Sequence, residues 1–366
     1  MESGAINKII MENIPLEVRE KGLDKYKVII FGAGGDGLRT LSMLHKFNIK
    51  DIIFCDNDSN KWGKKIGTEN EVCISPLEIE NYRDAIFVIG TRNYTMEIKK
   101  QLEDLKVEFI TSDAYLLYKN IDKINYVYEN LLNDSDSKRT YFRLIEIMVT
   151  GNFDLISSIY SENQYFAIPP FALHKTNDIF IDCGASVGDT LEQFIYKRLG
   201  LFNKIFAFEP CIRPYKAMEI RRDRLVKEWG LDVESIKCIN EGLADYNGTA
   251  YLDTTGLLGE NFIKIEQEND TSDEIIKITT LDTFFEDFTE KITFLKADIE
   301  GYELKMLQGA KKLIKKDKPK LAICIYHNFD DIFEIPLYIK SLVPEYKMEI
   351  RHHQFNLWET VLYCYV

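Results

Sequence analysis

The C-terminal stretch constrains the architecture more than any other part of the chain. Two strand-like runs, Tyr346-KMEIRHH and Glu359-TVLYCYV, are separated by about five residues. A parallel return between neighbouring strands needs a crossover of a dozen residues or more, so this link predicts an antiparallel hairpin. Upstream, the runs DIFIDC (from Asp178), KIFAFEP, SIKCINEG, TFLKADIEG and PKLAICIYHN are joined by helices or long connections, as in parallel βαβ units. Together they predict an α/β fold with a seven-stranded, Rossmann-like sheet over residues 173–366, parallel except for one reversed strand.

The first of these strands runs into a glycine turn, Ile181-DCGASVGDT, followed by the helix-compatible segment TLEQFIYKRLG. Asp182, Gly184, Ser186 and Gly188 follow D-x-G-x-G-x-G with serine at the middle glycine. That differs from G-x-G-x-x-G, in which the glycines let the backbone close on a pyrophosphate. It is the spacing of class I S-adenosylmethionine sites, where no phosphate has to be held and the turn only admits the methionyl and ribose parts. The second strand ends in Glu209, about 20 residues further on, a position suited to a ribose diol. The alternative is that Glu209 merely caps a helix.

Ligands of open α/β sheets bind outside the carboxyl ends of the strands. Those ends are Asp182, Glu209, Glu241, Asp298 with Glu300, His327, and His352 with His353. The candidate cofactor site therefore comprises Asp182, Gly184, Ala185, Ser186, Gly188, Thr190, Glu209, Pro210, Glu241, Gly242 and Asp298. Alternation within LKADIEG places Lys296, Asp298 and Glu300 on one side of the fourth strand. Two readings stand there: a buried Lys296–Asp298 pair that holds the strand, or Asp298 facing the cofactor's positive end and Glu300 facing the acceptor. An alcohol acceptor must lose a proton, and His327 suits that role when neutral, with Glu300 as the competitor. Either could instead ligate a divalent ion with Asp298, and spacing does not separate these possibilities.

LKADIEGYELKMLQGA, with FIDCGASVGDT, FAFEP, TTLDTF, PKLAICIYHN and RHH followed by ETVLY, resembles the FkbM family of S-adenosylmethionine-dependent methyltransferases over roughly residues 160–366. Its string D-x-E-G-x-E-x-x-x-L-x-G-A is met by Asp298, Glu300, Gly301, Glu303, Leu307, Gly309 and Ala310. The resemblance implies O-methylation of a sugar, glycan or polyketide hydroxyl, as in polysaccharide modification. It also implies cofactor contacts at Asp182, Gly184, Gly188, Glu209 and Asp298. Between the third and fourth strands an insertion has ends that look able to pair, around a polar middle from Gly256 to Asp273 that reads as a lid or a surface loop.

Ahead of this domain lies a second cradle. Residues 1–25 read as an amphipathic helical leader with Ile6, Ile9, Ile10 and Ile14 near one face. Residues 26–114 read as a small, roughly four-stranded Rossmann-like domain. There the strand KVIIF leads into a literal G-x-G-x-x-G at Gly32, Gly34 and Gly37, with Gly35 inside it. Asp56 ends the next strand, and Thr91 and Arg92 lie at the end of a later one, which makes a candidate nucleotide site. The segment loosely resembles the N-terminal domains of some sugar-modifying proteins that bind a nucleotide-sugar, and a fold without a ligand is the alternative. Residues 115–172 read as a helical connector with an aromatic core.

With 366 residues, the chain is long enough for two cores. A net charge of -13 argues against nucleic acid and anionic membranes as partners, since both demand a basic face. Seven scattered cysteines without a C-x-x-C pair fit a reducing compartment, and no signal-peptide core or long apolar run is present, so a cytoplasmic protein is expected. The function expected is S-adenosylmethionine-dependent O-methyl transfer to a sugar, nucleotide-linked sugar or glycan. The rivals are a non-catalytic two-domain binding module and, on the strength of Gly32–Gly37, a nicotinamide oxidoreductase.

Overall fold

The structure is a computed structural model that describes residues 4–67, 71–172, 176–252, 263–264 and 274–366. The chain divides into two compact units, chiefly Met1–Tyr126 with Tyr141–Ser158, and Val127–Thr140 with Ile159–Gly256 and Glu260–Val366.

In the first unit, strands β1 (Val28–Phe31), β2 (Ile52–Cys55), β3 (Lys65–Ile66), β4 (Glu71–Ile74), β5 (Ile86–Ile89) and β6 (Phe109–Thr111) form one sheet in the order β3-β4-β2-β1-β5-β6. All neighbours are parallel except β3 and β4. The four-stranded expectation is thus corrected to six. β3 has two residues, below the length at which periodicity reveals a strand, and β4 has four, as β1, β2 and β5 do, but is an edge-side run that begins with the charged Glu71. Helix Gly35–Lys46 crosses the turn so closely that a Cβ on Gly37 would sit 1.9 Å from the Gly32 carbonyl oxygen. The leader consists of helices Ala5–Glu12 and Leu16–Lys21, interrupted before Pro15, with Ile6, Ile10 and Ile14 buried.

In the second unit, β7 (Ile179–Cys183), β8 (Lys204–Phe208), β9 (Ile236–Ile239), β10 (Gly242–Leu243), β11 (Gly248–Leu252), β12 (Ile263–Lys264), β13 (Glu274–Thr279), β14 (Phe294–Ala297), β15 (Lys320–Cys324), β16 (Lys347–His352) and β17 (Thr360–Tyr365) make two sheets. The main sheet has seven strands in the order β16-β17-β15-β14-β7-β8-β9. Strand β17 runs antiparallel to β16, as the short C-terminal link requires, and it is antiparallel to β15 as well. The ends of the insertion pair as expected, β11 with β13, inside a sheet ordered β10-β13-β11-β12. Its predicted lid or loop, Gly256 to Asp273, lies outside the described residues apart from β12.

Beneath the main sheet Phe180 stacks on Phe194 at 4.4 Å and tilts against Phe294 at 4.8 Å. At the start of β7 the fully buried Arg198 and Asp178 pair at 2.7 Å. Arg198 also donates to the Phe171 carbonyl, and Thr293 Oγ1 donates to Asp178. Removing one partner strands the other charge in the interior, so Arg198→Met is expected to cost about 3 kcal/mol, read from urea unfolding.

The helical stretch expected over 115–172 is shared between the units. Its polar break serves the second: Asn133 takes the Met348 amide, and Ser137 Oγ takes that of Ile350, so groups on the outer edge of β16 are satisfied. Among the described residues no helix is long and apolar enough to cross a membrane.

Candidate active site

The glycine turn after β7 is built by backbone constraint. Gly184 and Gly188 both take φ +80 and Ser186 takes φ +46. The amides of Gly184 and Ala185 donate to the Phe208 carbonyl at 3.0 and 2.9 Å, which fastens the turn to the end of β8. A Cβ on Gly184 would lie 1.9 Å from the Asp298 carbonyl oxygen, so the turn and the end of β14 touch through bare backbone. Glu209 completes the join: Oε2 accepts the Ser186 amide and Oε1 the Cys211 amide, both at 2.9 Å. Burial raises the Glu209 carboxyl, against these bonds and Lys296, which lower it. The capping alternative is thus partly met, because Cys211 immediately precedes helix Ile212–Trp229.

Above this join lies a cavity open to solvent, bounded by Gly184 and Ser186, Phe208 to Cys211, Glu241 to Leu243, and Asp298 to Glu300. Of the residues expected to face a cofactor, Gly184, Ser186, Glu209, Pro210, Glu241, Gly242 and Asp298 border it. Glu241 also pairs with Lys277 at 2.5 Å. Ala185 and Thr190 are buried, and Gly188 backs onto Met218. Asp182 is fully buried and pairs with Lys296 at 2.9 Å. Lys296 Nζ donates as well to the Gly184 carbonyl at 2.8 Å, so the pair supports the turn from below. Burial raises Asp182 although Lys296 opposes it. Burial would lower Lys296, but Asp182 and Asp298 outweigh it and the net shift is upward. Of the two readings, the one that paired Lys296 with Asp298 is corrected: the salt bridge forms with Asp182, because the β7–β14 register sets those two residues side by side.

Asp298 takes a different set of partners. Its carboxylate accepts from Tyr165 at 2.7 Å and from Tyr326 at 3.1 Å. Burial would raise its pKa, but Lys296, His327 and the two hydroxyls together pull it below the ordinary carboxylate value. His327 follows β15 with only 5% of its side chain exposed. Its Nδ1 lies 3.0 Å from Glu303, and its Nε2 lies 3.4 Å from Glu300 and 3.5 Å from Asp298. Burial would lower the imidazole pKa, but Glu303, Asp298 and Glu300 outweigh it and raise it to about 9. His327 does not itself border the cavity, and it touches two residues that do. The other histidines of this edge are engaged in packing. His352 bonds Thr360, and His353 bonds Ser161 and Tyr363; burial pushes both down to about 4.

Sequence reasoning gave no site role to Tyr165, Tyr326, Glu303 or Glu359, although Glu303 and Tyr326 stand in the matched strings. Tyr165 was read only as part of a core aromatic group. Its φ of +65, with +59 at Asn163 and +65 at Glu359, marks strained backbone beside Asp298. Two groups bring ligand-type atoms within 4.8 Å of one another: Asp298, Glu303 and His327, and Asp298, Cys324 and Glu359. In the first, Glu303 sits at Nδ1 while Asp298 sits at Nε2, on diverging sides of the ring. In the second, Cys324 is fully buried and its Sγ lies 3.8 Å from the Tyr165 hydroxyl.

In the first unit Gly32, Gly34, Gly35, Gly37, Asp56, Thr91 and Arg92 gather at the carboxyl ends of β1, β2 and β5. The charged members bond within their own chain. Asp56 accepts from the Ala33 amide at 2.7 Å, the Asp58 amide at 2.8 Å and Lys61 at 2.9 Å. Arg92 pairs with Asp113 at 2.9 Å, and its amide donates to Asp36 at 3.3 Å.

Comparison with known proteins places residues 182–357 on the Methyltransferase FkbM domain and residues 24–109 on a family described as C2185-like, N-terminal. No curated protein matches. Among solved structures, the methyltransferase FkbM of Methylobacillus flagellatus KT is 19% identical, with 99% of each chain covered and a TM-score of 0.59, a likeness of fold. A Streptococcus mutans protein in complex with SAH is 13% identical over 59% of this chain and 96% of its own, with a TM-score of 0.32. An rRNA methylase from Streptococcus thermophilus is also 13% identical, over 58% of this chain and 92% of its own, and again scores 0.32. At that score neither carries an argument.

Proposed function

Residues 182–357 form a Methyltransferase FkbM domain, and from that premise we propose that the protein transfers the methyl group of S-adenosylmethionine to a hydroxyl of a sugar, free, nucleotide-linked or within a glycan. The observation that carries this reading is a juxtaposition at one sheet edge. A cavity over the glycine turn and Glu209 shares Asp298 and Glu300 with a buried imidazole, His327.

The residues present suit the donor. The cavity opens over the glycine turn and the end of β8, and the turn at Gly184 admits no side chain, so a ligand there meets bare backbone and Glu209. Each Glu209 oxygen accepts one amide and keeps lone-pair capacity for ribose hydroxyls. Asp298, held as an anion, offsets a positive charge beside it. S-adenosylmethionine, when bound, supplies a methyl carbon that is already activated, so the chain chiefly positions the partners. His327 Nε2, set between Asp298 and Glu300, takes by way of Glu300, which borders the cavity, the proton that the acceptor hydroxyl loses, and the same exposed carboxylate returns it to solvent. A pKa near 9 leaves the imidazole protonated at neutral pH in the free protein. A cationic donor competing for Asp298 would pull that value down.

Calorimetry on the full chain tests the donor assignment. S-adenosylmethionine should bind, and Glu209→Ala should weaken it at least tenfold, about 1.4 kcal/mol. No heat from the wild type would remove the donor, and binding unchanged in the variant would remove the role of Glu209. Release of S-adenosylhomocysteine with an acceptor separates an enzyme from a non-catalytic binding module. For the first unit, a thermal-shift panel of UDP-, GDP- and CDP-sugars and NAD is decisive: a shift lost in Asp56→Ala marks a ligand at that turn, and no shift marks a structural one.

A further inference from the structure

The proposed mechanism leaves one buried acid without a task. Glu303, at the start of helix Glu303–Gly309, has no exposed side-chain surface. Its Oε1 accepts the Ile299 amide at 2.7 Å and lies 3.0 Å from His327 Nδ1. Helix packing alone does not call for a carboxylate here, since an ionised acid in the interior is costly unless a cation or several donors face it.

We infer that Glu303 is a positioning residue: it holds His327 as the Nδ1–H tautomer and turns Nε2 toward Asp298, Glu300 and the acceptor hydroxyl. The inference rests on the reading of His327 as the base. A neutral imidazole has one donor nitrogen and one acceptor; carboxylates face both, and Glu303 at 3.0 Å from Nδ1 is nearer than Glu300 and Asp298 at 3.4 and 3.5 Å from Nε2, which favours the donor at Nδ1. That leaves the Nε2 lone pair on the side of the two residues bordering the cavity. The same carboxylate favours the imidazolium that forms when the proton arrives. Local backbone explains how one short motif supplies both sides of the ring. Glu300 at φ +54 and Gly301 at φ +91 reverse the chain after β14, so that Glu303 folds back onto the Ile299 amide while Asp298 and Glu300 stay at Nε2.

The groups that set the charge of His327 come from several elements. Asp298 and Glu300 follow β14, and Glu303 lies on the next helix. The Tyr326 ring sits 4.0 Å away. Lys296 acts on Asp298, Asp298 and His327 act on the neighbouring Glu359, and the buried Asp331 is raised first by burial and then by Glu303.

Nuclear magnetic resonance of the full-length protein with labelled histidine tests this without an acceptor. The chain has five histidines, and His327→Gln assigns the signal. Above its transition, wild-type His327 should show the Nδ1–H pattern of 15N shifts; the Nε2–H pattern would overturn the inference with no variant needed. Glu303→Gln should lower the His327 pKa by at least one unit, a tenfold loss of proton affinity, with Glu303→Asp recovering part of it. An unchanged titration in folded Glu303→Gln would also overturn it. The two readings fail separately: full turnover in His327→Gln removes the base, whereas loss of turnover there with an unmoved titration in Glu303→Gln removes only the role of Glu303.

Discussion

Gly184→Ala is expected to abolish measurable S-adenosylmethionine binding and to destabilise the second unit by about 4 kcal/mol or more, in the range reserved for gross steric faults. Two independent costs meet at this position. A φ of +80 is unfavourable for any L side chain, by about 1–2 kcal/mol. The added Cβ would also stand 1.9 Å from the Asp298 carbonyl oxygen and 2.9 Å from its carbon, backbone atoms that cannot rotate away. Relief requires the turn to part from β14, which separates the wall carrying Glu209 from that carrying Asp298. Gly188→Ala provides the control. It has the same φ, but its Cβ would meet the flexible Met218 side chain at 3.2 Å, with Arg221 Cδ and the Met218 Cα at an ordinary 3.6 Å. It should therefore lose about 1–2 kcal/mol and keep most of its affinity. Urea unfolding and calorimetry on both variants check this, and equal losses would show that the close approach to Asp298 is not the cause.

His327→Gln should reduce turnover by about 10²–10⁴, the contribution of a positioned general base, measured as S-adenosylhomocysteine release with an acceptor identified among co-purified small molecules. Glutamine keeps a polar group near Asp298 and Glu300 but cannot take a proton. In the wild type the base works only when neutral, so kcat should rise with pH through the titration of His327, whose free-protein value is about 9. Removing an acid at Nε2, as in Glu300→Gln, should shift that rise to lower pH. Stability should run the other way. The imidazole pKa is raised in the folded chain from 6.5, so its stabilisation is complete below pH 6.5 and is lost as pH climbs through 9. The loss is about 3 kcal/mol at most, visible as a falling urea midpoint in the wild type and absent in His327→Gln. A flat pH–rate profile with a full-rate variant would transfer the base role to Glu300.

Much of the fold is legible in the chain because its signals are local. Five residues between the last two strands dictate a reversed pair whatever surrounds them, and glycines at 184 and 188 announce a turn that needs positive φ. Of the strands of the first unit that escaped notice, β3 is two residues long and shows no period of its own, and β4 is a run of four that begins with the charged Glu71. The candidate site divides along the same line. Gly184, Ser186, Glu209, Glu241 and Asp298 border the cavity because strand ends share one edge, and alternation with chain order is enough to place them. The lysine pairing is another matter. Lys296 is two residues from Asp298 in sequence, yet it pairs with Asp182, a choice made by strand register.

Taken alone, the sequence determined the reversed hairpin, the glycine turn and the set of acids and histidines at one edge, since loop length, backbone conformation and two-residue alternation act between neighbours in the chain. Tertiary structure decided which of those groups are spent on packing, as His352 and His353 are, and which carry an altered charge, as His327 does. The physical reason is that burial and Coulomb interactions depend on distance in space: Tyr165 and Glu359 reach Asp298 from far along the chain, and no local pattern encodes that approach.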